Sequence, residues 1–308
     1  MKSRLIAYCN MSLILPIIFS SCLLSIQAKE PQTIHMLPKN ETSSEITKVR
    51  PIHVKWVNNS KAYAIGLLNK LDQTATIAER IVQISKALLG VPYSAFSLDK
   101  LPIEKLIIDF TSFDCFLFIE QLLAISQSEN IQQFEVLISK LRYRNENISY
   151  CTRHHYFTQW AMNAEKVGLL TELSQKLKGS QSRLVKLNFI SMNPTYYKPM
   201  MNNNIRNCIQ GIERSLEVSQ HFIPLNRITA IQRDLENGDL FGLVTNVKGL
   251  DVTHTGIVEV TPTSINAIHA APNVGVIRSR DIARYAQTVP DVIGISFYRP
   301  IKPIAKSK

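Results

Sequence analysis

The chain lacks the marks of several large protein classes. It has no Walker loop, no Cys/His spacing of a zinc finger and no nucleic-acid-binding motif. Beyond the N-terminus it has no low-complexity tract and no internal repeat, and charged residues make up only 19% of it. That composition excludes extended disorder. Acidic residues are outnumbered, 24 against 35 Lys and Arg, for a net charge of +11. With no nucleic-acid motif to absorb the excess, the basic balance favours anionic surfaces such as wall polymers or lipid headgroups, or serves colloidal solubility alone, and charge does not choose between the two. Cysteine is scarce at five, and two of these, Cys9 and Cys22, fall in the N-terminal segment.

That segment reads as an address, not as structure. Lys2 and Arg4 precede an apolar run over 11–24 that Pro16 interrupts, and Ala28 supplies a small residue before a polar stretch. The run is too short and broken for a membrane span, so residues 1–28 are expected to be a removed signal peptide and the protein exported, to the periplasm. Ser20-Ser21-Cys22 offers a second outcome, lipid attachment at Cys22. Cleavage after residue 28 removes two cations and no anion, lowering +11 to +9. No integral span then remains. Cys115, Cys151 and Cys208 are left, an odd number for an oxidising compartment. A working thiol at Cys115 with a Cys151–Cys208 bridge fits that count, and so do three buried thiols.

Residues 29–60 are polar with three prolines and read as a linker or N-terminal arm. Residues 61–308 form the expected single domain. Helical periodicity runs over 62–89 and ends at Gly90, Pro92 and Tyr93. A nearly all-apolar helix follows Cys115, with Ser112 or Asp114 as its cap. Another short helix spans 134–141. The last third turns to strands at 240–245, 253–260, 265–271, 274–278 and 293–299. Helices first and strands later predict an α+β domain with a mainly antiparallel sheet.

Three residues carry the chemistry. A cysteine in the first turn of a buried helix sits where unpaired amides and the helix dipole favour the thiolate, although a buried cysteine alone is commonly inert filler. His254 stands in an otherwise core-like strand, where an imidazole needs a partner or a task. If residues 253–271 form a hairpin, a two-residue loop pairs positions summing to 525 or 523. Either register sets His254 and His269 on one face, about 5–8 Å apart. His269 would then fix the tautomer and orientation of His254. A zinc site built from these three side chains would lack second-shell carboxylates and helical ligand spacing, so no metal or cofactor is expected.

The strings Gly90-Val91-Pro92-Tyr93, Phe113-Asp114-Cys115, His254-Thr255-Gly256-Ile257-Val258 and Ile268-His269-Ala270 resemble the NlpC-type, papain-like cell-wall hydrolases, in the same order along the chain. Phe118-Ile119-Glu120, Arg142-Tyr143-Arg144, the 153–160 segment and Gly249 to His254 resemble its N-acetylmuramoyl-L-alanine amidase-like branch. Phe116-Leu117 and Ala271 depart from that branch's small or hydroxyl residues. The resemblance implies a papain-like core and cleavage of the amide between the muramoyl lactyl group and L-alanine. Cys115 would be nucleophile, His254 base and His269 orienter, with the Cys115 amide and Tyr93 holding the oxyanion. Peptidoglycan or its muropeptide fragments are the implied partner, met by a monomer. His254 stands 139 positions after Cys115, so the segment at about 130–235 is expected to be inserted and to wall the cleft. There Arg142, Arg153 and Trp160 are candidates to meet a peptide carboxylate or sugar face. The rival readings are a D-glutamyl-diamino-acid endopeptidase with identical chemistry, and a non-catalytic wall-binding protein on the same fold.

Overall fold

A computed structural model of the chain describes residues 52–72 and 74–301. The expected signal peptide, Cys22, the arm up to residue 51 and the basic tail lie outside the described residues.

Val54–Trp56 (β1) pairs in parallel with Leu106–Ile108 (β2), so the fold takes in the end of the expected arm. Between them the helical region divides into Ser60–Lys70 (α1) and Ile77–Ala87 (α2). The break is local polar chemistry. Asp72 Oδ1 accepts from the Thr74 amide at 2.8 Å and its hydroxyl at 2.6 Å. Thr76 and Glu79 then close a capping box. Such side-chain bonds offer the backbone an alternative to continuing the helix.

Cys115–Ser126 (α3) is buried at every position except Phe116. It packs on α2, on Ile131–Arg142 (α4), and on two strands of the main sheet, Val252–Val260 and Ile265–Ala271. A helix apolar all round belongs inside a domain, as its sequence predicts. Phe157–Lys166 (α5) follows, then Leu170–Glu172 (β3), Gln181–Lys186 (β4), Phe189–Met192 (α6), Asn203–Arg214 (α7) and Glu217–Pro224 (β5). The chain closes with Leu240–Thr245 (β6), Val252–Val260 (β7), Ile265–Ala271 (β8), Gly275–Ser279 (β9), Ile282–Thr288 (α8) and Val292–Pro300 (β10).

The main sheet has eight strands in the order β4-β5-β10-β6-β7-β8-β9, with β3 also on β10. Its pairings are antiparallel. The protein is therefore α+β with an antiparallel sheet. The segment at 130–235 does more than wall a cleft, because it supplies β3, β4 and β5 to the sheet. Two of them escape sequence reading for a physical reason, β3 because it is three residues long. β4 is an edge strand with Leu184 exposed and Arg183 and Lys186 along it, so its alternation does not mark a buried face.

One apolar cluster surrounds α3, a second lies between the sheet and α8, and a third holds Tyr150, Tyr156, Phe189 and Met200. The third is stapled by a Cys151–Cys208 disulfide, Cα–Cα 6.1 Å, which ties the loop before α5 to α7. Among the described residues, Cys115 is thus the cysteine outside a disulfide.

Candidate active site

Cys115 opens α3. Asp114 caps it, its Oδ1 accepting from the Leu117 amide at 2.7 Å; Ser112 instead turns its hydroxyl to Asp109. Burial pushes the Asp114 carboxyl up to about 6, against the pull of the Leu117 amide. The preceding backbone is clamped. Phe113 donates to the Pro92 carbonyl at 3.0 Å, and Ser94 donates back to Phe113 at 3.0 Å. The Gly90–Tyr93 string also leans on the sheet edge, where Gly90 N and Val276 N exchange bonds with Val276 O and Val91 O at 2.8 Å. This approach needs Gly275, whose φ is +105° and whose absent Cβ would stand 2.4 Å from the Val91 carbonyl.

The β7–β8 hairpin takes the register summing to 525, with Ile257 opposite Ile268 and Val260 opposite Ile265. His254 and His269 are diagonal neighbours on one face. Gly256 makes the pairing possible, since a Cβ there would come within 2.7 Å of the His269 Cβ. His254 Nε2 and His269 Nδ1 lie 2.8 Å apart. The relay continues to the Ser279 hydroxyl on β9, 2.9 Å from His269 Nε2, and the Tyr285 ring of α8 stacks on His269 at 4.4 Å. Burial holds the His254 imidazole well below its ordinary pKa, with His269 adding to the effect, and lowers His269 to about 4. Both rings are neutral at neutral pH.

Cys115 and His254 line one cavity of about 150 Å³, together with Tyr156, Phe189, Tyr197 and Asp251. A second cavity of about 200 Å³ adjoins it, sharing Phe116, His155 and Tyr197. Tyr93 lines this second space rather than the first. A larger cavity of about 970 Å³ around Arg80, Asp239 and Arg299 contains none of the sequence-predicted site residues.

The remaining candidates are engaged in structure. Arg142 is 1% exposed; its Nε and Nη2 donate to Glu120 Oε2 at 2.8 and 2.6 Å, and its Nη1 donates to the Ile107 carbonyl at 2.6 Å. Arg153 pairs with Asp99 and Glu104 and lies 4.5 Å over the Tyr150 ring, while its buried Nη1 makes no hydrogen bond. Trp160 is fully buried between Phe116 and Phe157 and has no face to offer a sugar. Burial thus engages Arg142 and Trp160 with internal partners, while Arg142 and Arg153 also line the second cavity.

Several residues were not singled out from the sequence. Asp251 accepts from the Thr158 amide at 2.6 Å and from the Val252 amide at 2.9 Å, pinning the start of α5 to β7 beside His254. Its place in the Gly249–His254 string was the only signal. His154 likewise lay only within the 153–160 segment, and Ser279 and Tyr285 gave no signal. Among the described residues, no group of three or more His, Cys, Asp or Glu is arranged to hold a metal ion, and no helix is long and apolar enough to cross a membrane.

The frame is α+β with an antiparallel sheet, and Cys115 at the head of α3 shares a cavity with His254. Residues 83–295 match the AmiA-like family, described as N-acetylmuramoyl-L-alanine amidase-like, and the chain belongs to that family. A solved N-acetylmuramoyl-L-alanine amidase from Bacteroides uniformis is 25% identical, with 74% of this chain and 100% of that chain covered at a TM-score of 0.69. A Bacteroides fragilis protein with a provisional xylanase designation is 26% identical, covering 70% of this chain and 99% of its own at 0.65. A Legionella pneumophila protein shares the fold at 18% identity, 81% and 98% coverage and a TM-score of 0.64. No curated protein matches the chain.

Proposed function

We propose that the protein is an exported cysteine amidase that hydrolyses the N-acetylmuramoyl-L-alanine bond of peptidoglycan or its fragments, by NlpC-type, papain-like chemistry. The observation that carries this reading is the shared cavity: Cys115 at the head of α3 and His254 on β7 line it together, and His254 Nε2 is held by His269 at 2.8 Å. Family membership and the Bacteroides uniformis amidase supply the bond.

In this reading His269 occupies Nε2 of His254, so Nδ1 is the nitrogen that serves the thiol. A neutral imidazole is the form that accepts a proton. Cys115 Sγ attacks the lactyl carbonyl carbon while His254 takes the thiol proton. The oxyanion is met by the Cys115 amide, with Tyr93, pinned beside Phe113, as second donor. Collapse breaks the C–N bond, and His254 returns the proton to the departing alanine amine. Water, deprotonated by His254, then attacks the thioester and releases the lactyl acid and the free thiol. A disulfide and a positive charge suit an oxidising compartment bounded by anionic polymer.

The test is mass spectrometry of defined muropeptides treated with wild type and with Cys115→Ala. Free lactyl-muramic acid ends produced by the wild type alone are expected. Cleavage after D-glutamate would instead make the protein an endopeptidase, and bound but uncut muropeptide would make it a wall-binding protein.

A further inference from the structure

Three polar side chains follow one another across neighbouring strands. His254 stands on β7, His269 on β8 and Ser279 on β9. β8 and β9 pair His269 with Ile277 and Ala267 with Ser279, so Ser279 is a diagonal neighbour of His269 on the same face. The contacts run without a gap. His254 Nε2 lies 2.8 Å from His269 Nδ1, and His269 Nε2 lies 2.9 Å from Ser279 Oγ. One end of this row lines the Cys115 cavity, and the other end is a hydroxyl on the outermost of the three strands.

Both rings are neutral, so each carries one N–H and one bare nitrogen. Two rings in series then allow two arrangements of protons. In the first, His269 Nε2–H donates to Ser279, His269 Nδ1 accepts from His254 Nε2–H, and His254 Nδ1 is bare. In the second, the Ser279 hydroxyl donates to His269 Nε2, His269 Nδ1–H donates to His254 Nε2, and His254 Nδ1 carries a proton. Any other combination sets two lone pairs or two hydrogens against each other across 2.8 Å. The two rings therefore change together, and the direction of the bond at Ser279 decides what His254 offers to a thiol.

We propose that Ser279 is a positioning residue for catalysis. As hydrogen-bond acceptor it holds both imidazoles in the first arrangement and keeps the His254 Nδ1 lone pair available to Cys115. Both rings then adopt the Nε2–H form, the tautomer that neutral histidine itself favours. The Tyr285 hydroxyl lies 3.5 Å from His269 Nδ1, a long contact whose proton adds to the His254 donor in this arrangement. The Tyr285 ring, 4.4 Å from the His269 ring, restrains a flip that would exchange the two nitrogens. When His254 takes the thiol proton at Nδ1, no other proton has to move. The new positive charge is met by the His269 Nδ1 lone pair, and His269 stays oriented by Ser279. The inference deepens the amidase reading and rests on it for the role of His254 as base.

The experiment reads the imidazole nitrogens directly, from long-range proton–nitrogen correlation spectra of isotope-labelled full-length protein at neutral pH. Turnover of defined muropeptides and the alkylation rate of Cys115, which needs no substrate, are measured beside it. Wild type is expected to show a protonated Nε2 and a bare Nδ1 in both His254 and His269. Ser279→Ala should bring an Nδ1–H population into both rings, lower kcat about tenfold with KM unchanged, and slow alkylation by a similar factor. Ser279→Thr, which keeps the hydroxyl, should restore all three. A bare Nε2 on wild-type His269 overturns the proposal. So does a Ser279→Ala protein whose tautomers match wild type, whether or not its turnover falls, because the serine would then be merely structural. Protein that cuts no muropeptide, yet shows the expected tautomers and Ser279-dependent alkylation, supports the proposal while sinking the amidase reading.

Discussion

The cleft has two unlike walls. On the sheet side, His254 and His269 stand on neighbouring strands, and their imidazoles are joined to each other and on to Ser279. On the opposite side, the loop before α5 presents His154, His155 and Tyr156, and His154 is left without a well-formed bond. On one wall the two imidazoles are held by the fold itself, and on the other His154 is kept in reserve. The first arrangement suits a group that must hold one orientation through a reaction. The second suits a group whose partner arrives with the substrate.

The sharpest way to test that contrast is to remove the chemistry and leave both walls standing. Cys115→Ala or His254→Ala should lower kcat by about 10⁴-fold or more with the far-ultraviolet circular dichroism unchanged. Residual turnover within tenfold of wild type would remove the sheet-side wall from catalysis. Next in size is Arg142→Met, which strands the Glu120 carboxylate in a site with no exposure. It should destabilise the protein by about 3–5 kcal/mol in urea unfolding. A higher KM at unchanged stability would return Arg142 to the role of ligand contact.

The pH dependence of stability compares the walls directly. His269 on one side and His154 on the other are both lowered to about 4 by burial. Between about 4 and the ordinary histidine value of about 6.5, the unfolded chain binds protons that the folded chain refuses. The stabilisation is complete above that window and falls as pH drops through it, by about 3 kcal/mol for each histidine. Asp114 runs the other way, since its raised pKa favours the folded state as pH falls from about 6. Urea midpoints at pH 7.5, 5.5 and 4.5 should decline, and His269→Gln should flatten the decline. Identical midpoints would contradict buried neutral rings. Smallest of all, His269→Ala should lower kcat by about 100-fold with little change in KM, because orientation is only part of the barrier.

How much of this was legible follows the same divide. Strand periodicity fixes faces by parity, and a two-residue loop fixes the sum of paired positions, so the approach of two histidines fifteen residues apart could be worked out by counting. The helix that starts at Cys115 announced itself by a cap and an unbroken apolar run. The arginines were another matter. Glu120 lies 22 positions before Arg142, and Asp99 lies 54 before Arg153. Nothing in local pattern says which distant carboxylate a guanidinium will meet, or that Trp160 will fill a core rather than face a sugar. Strands β3 and β4 were hidden for a related reason: β3 is three residues long and β4 lies at an edge, where hydrophobic alternation weakens.

The Cys151–Cys208 bridge closes a span of 57 residues, a constraint that raises the free energy of the open chain by about 4 kcal/mol. It bears on the wall that carries His154, His155 and Tyr156, and leaves the nucleophile's helix untouched. A chain still facing cytoplasmic reductants would keep its sulfur and its imidazoles while the opposite bank of the cleft stayed slack. Competence toward wall fragments would then mature only after passage to an oxidising space, sparing the precursors assembled inside the cell.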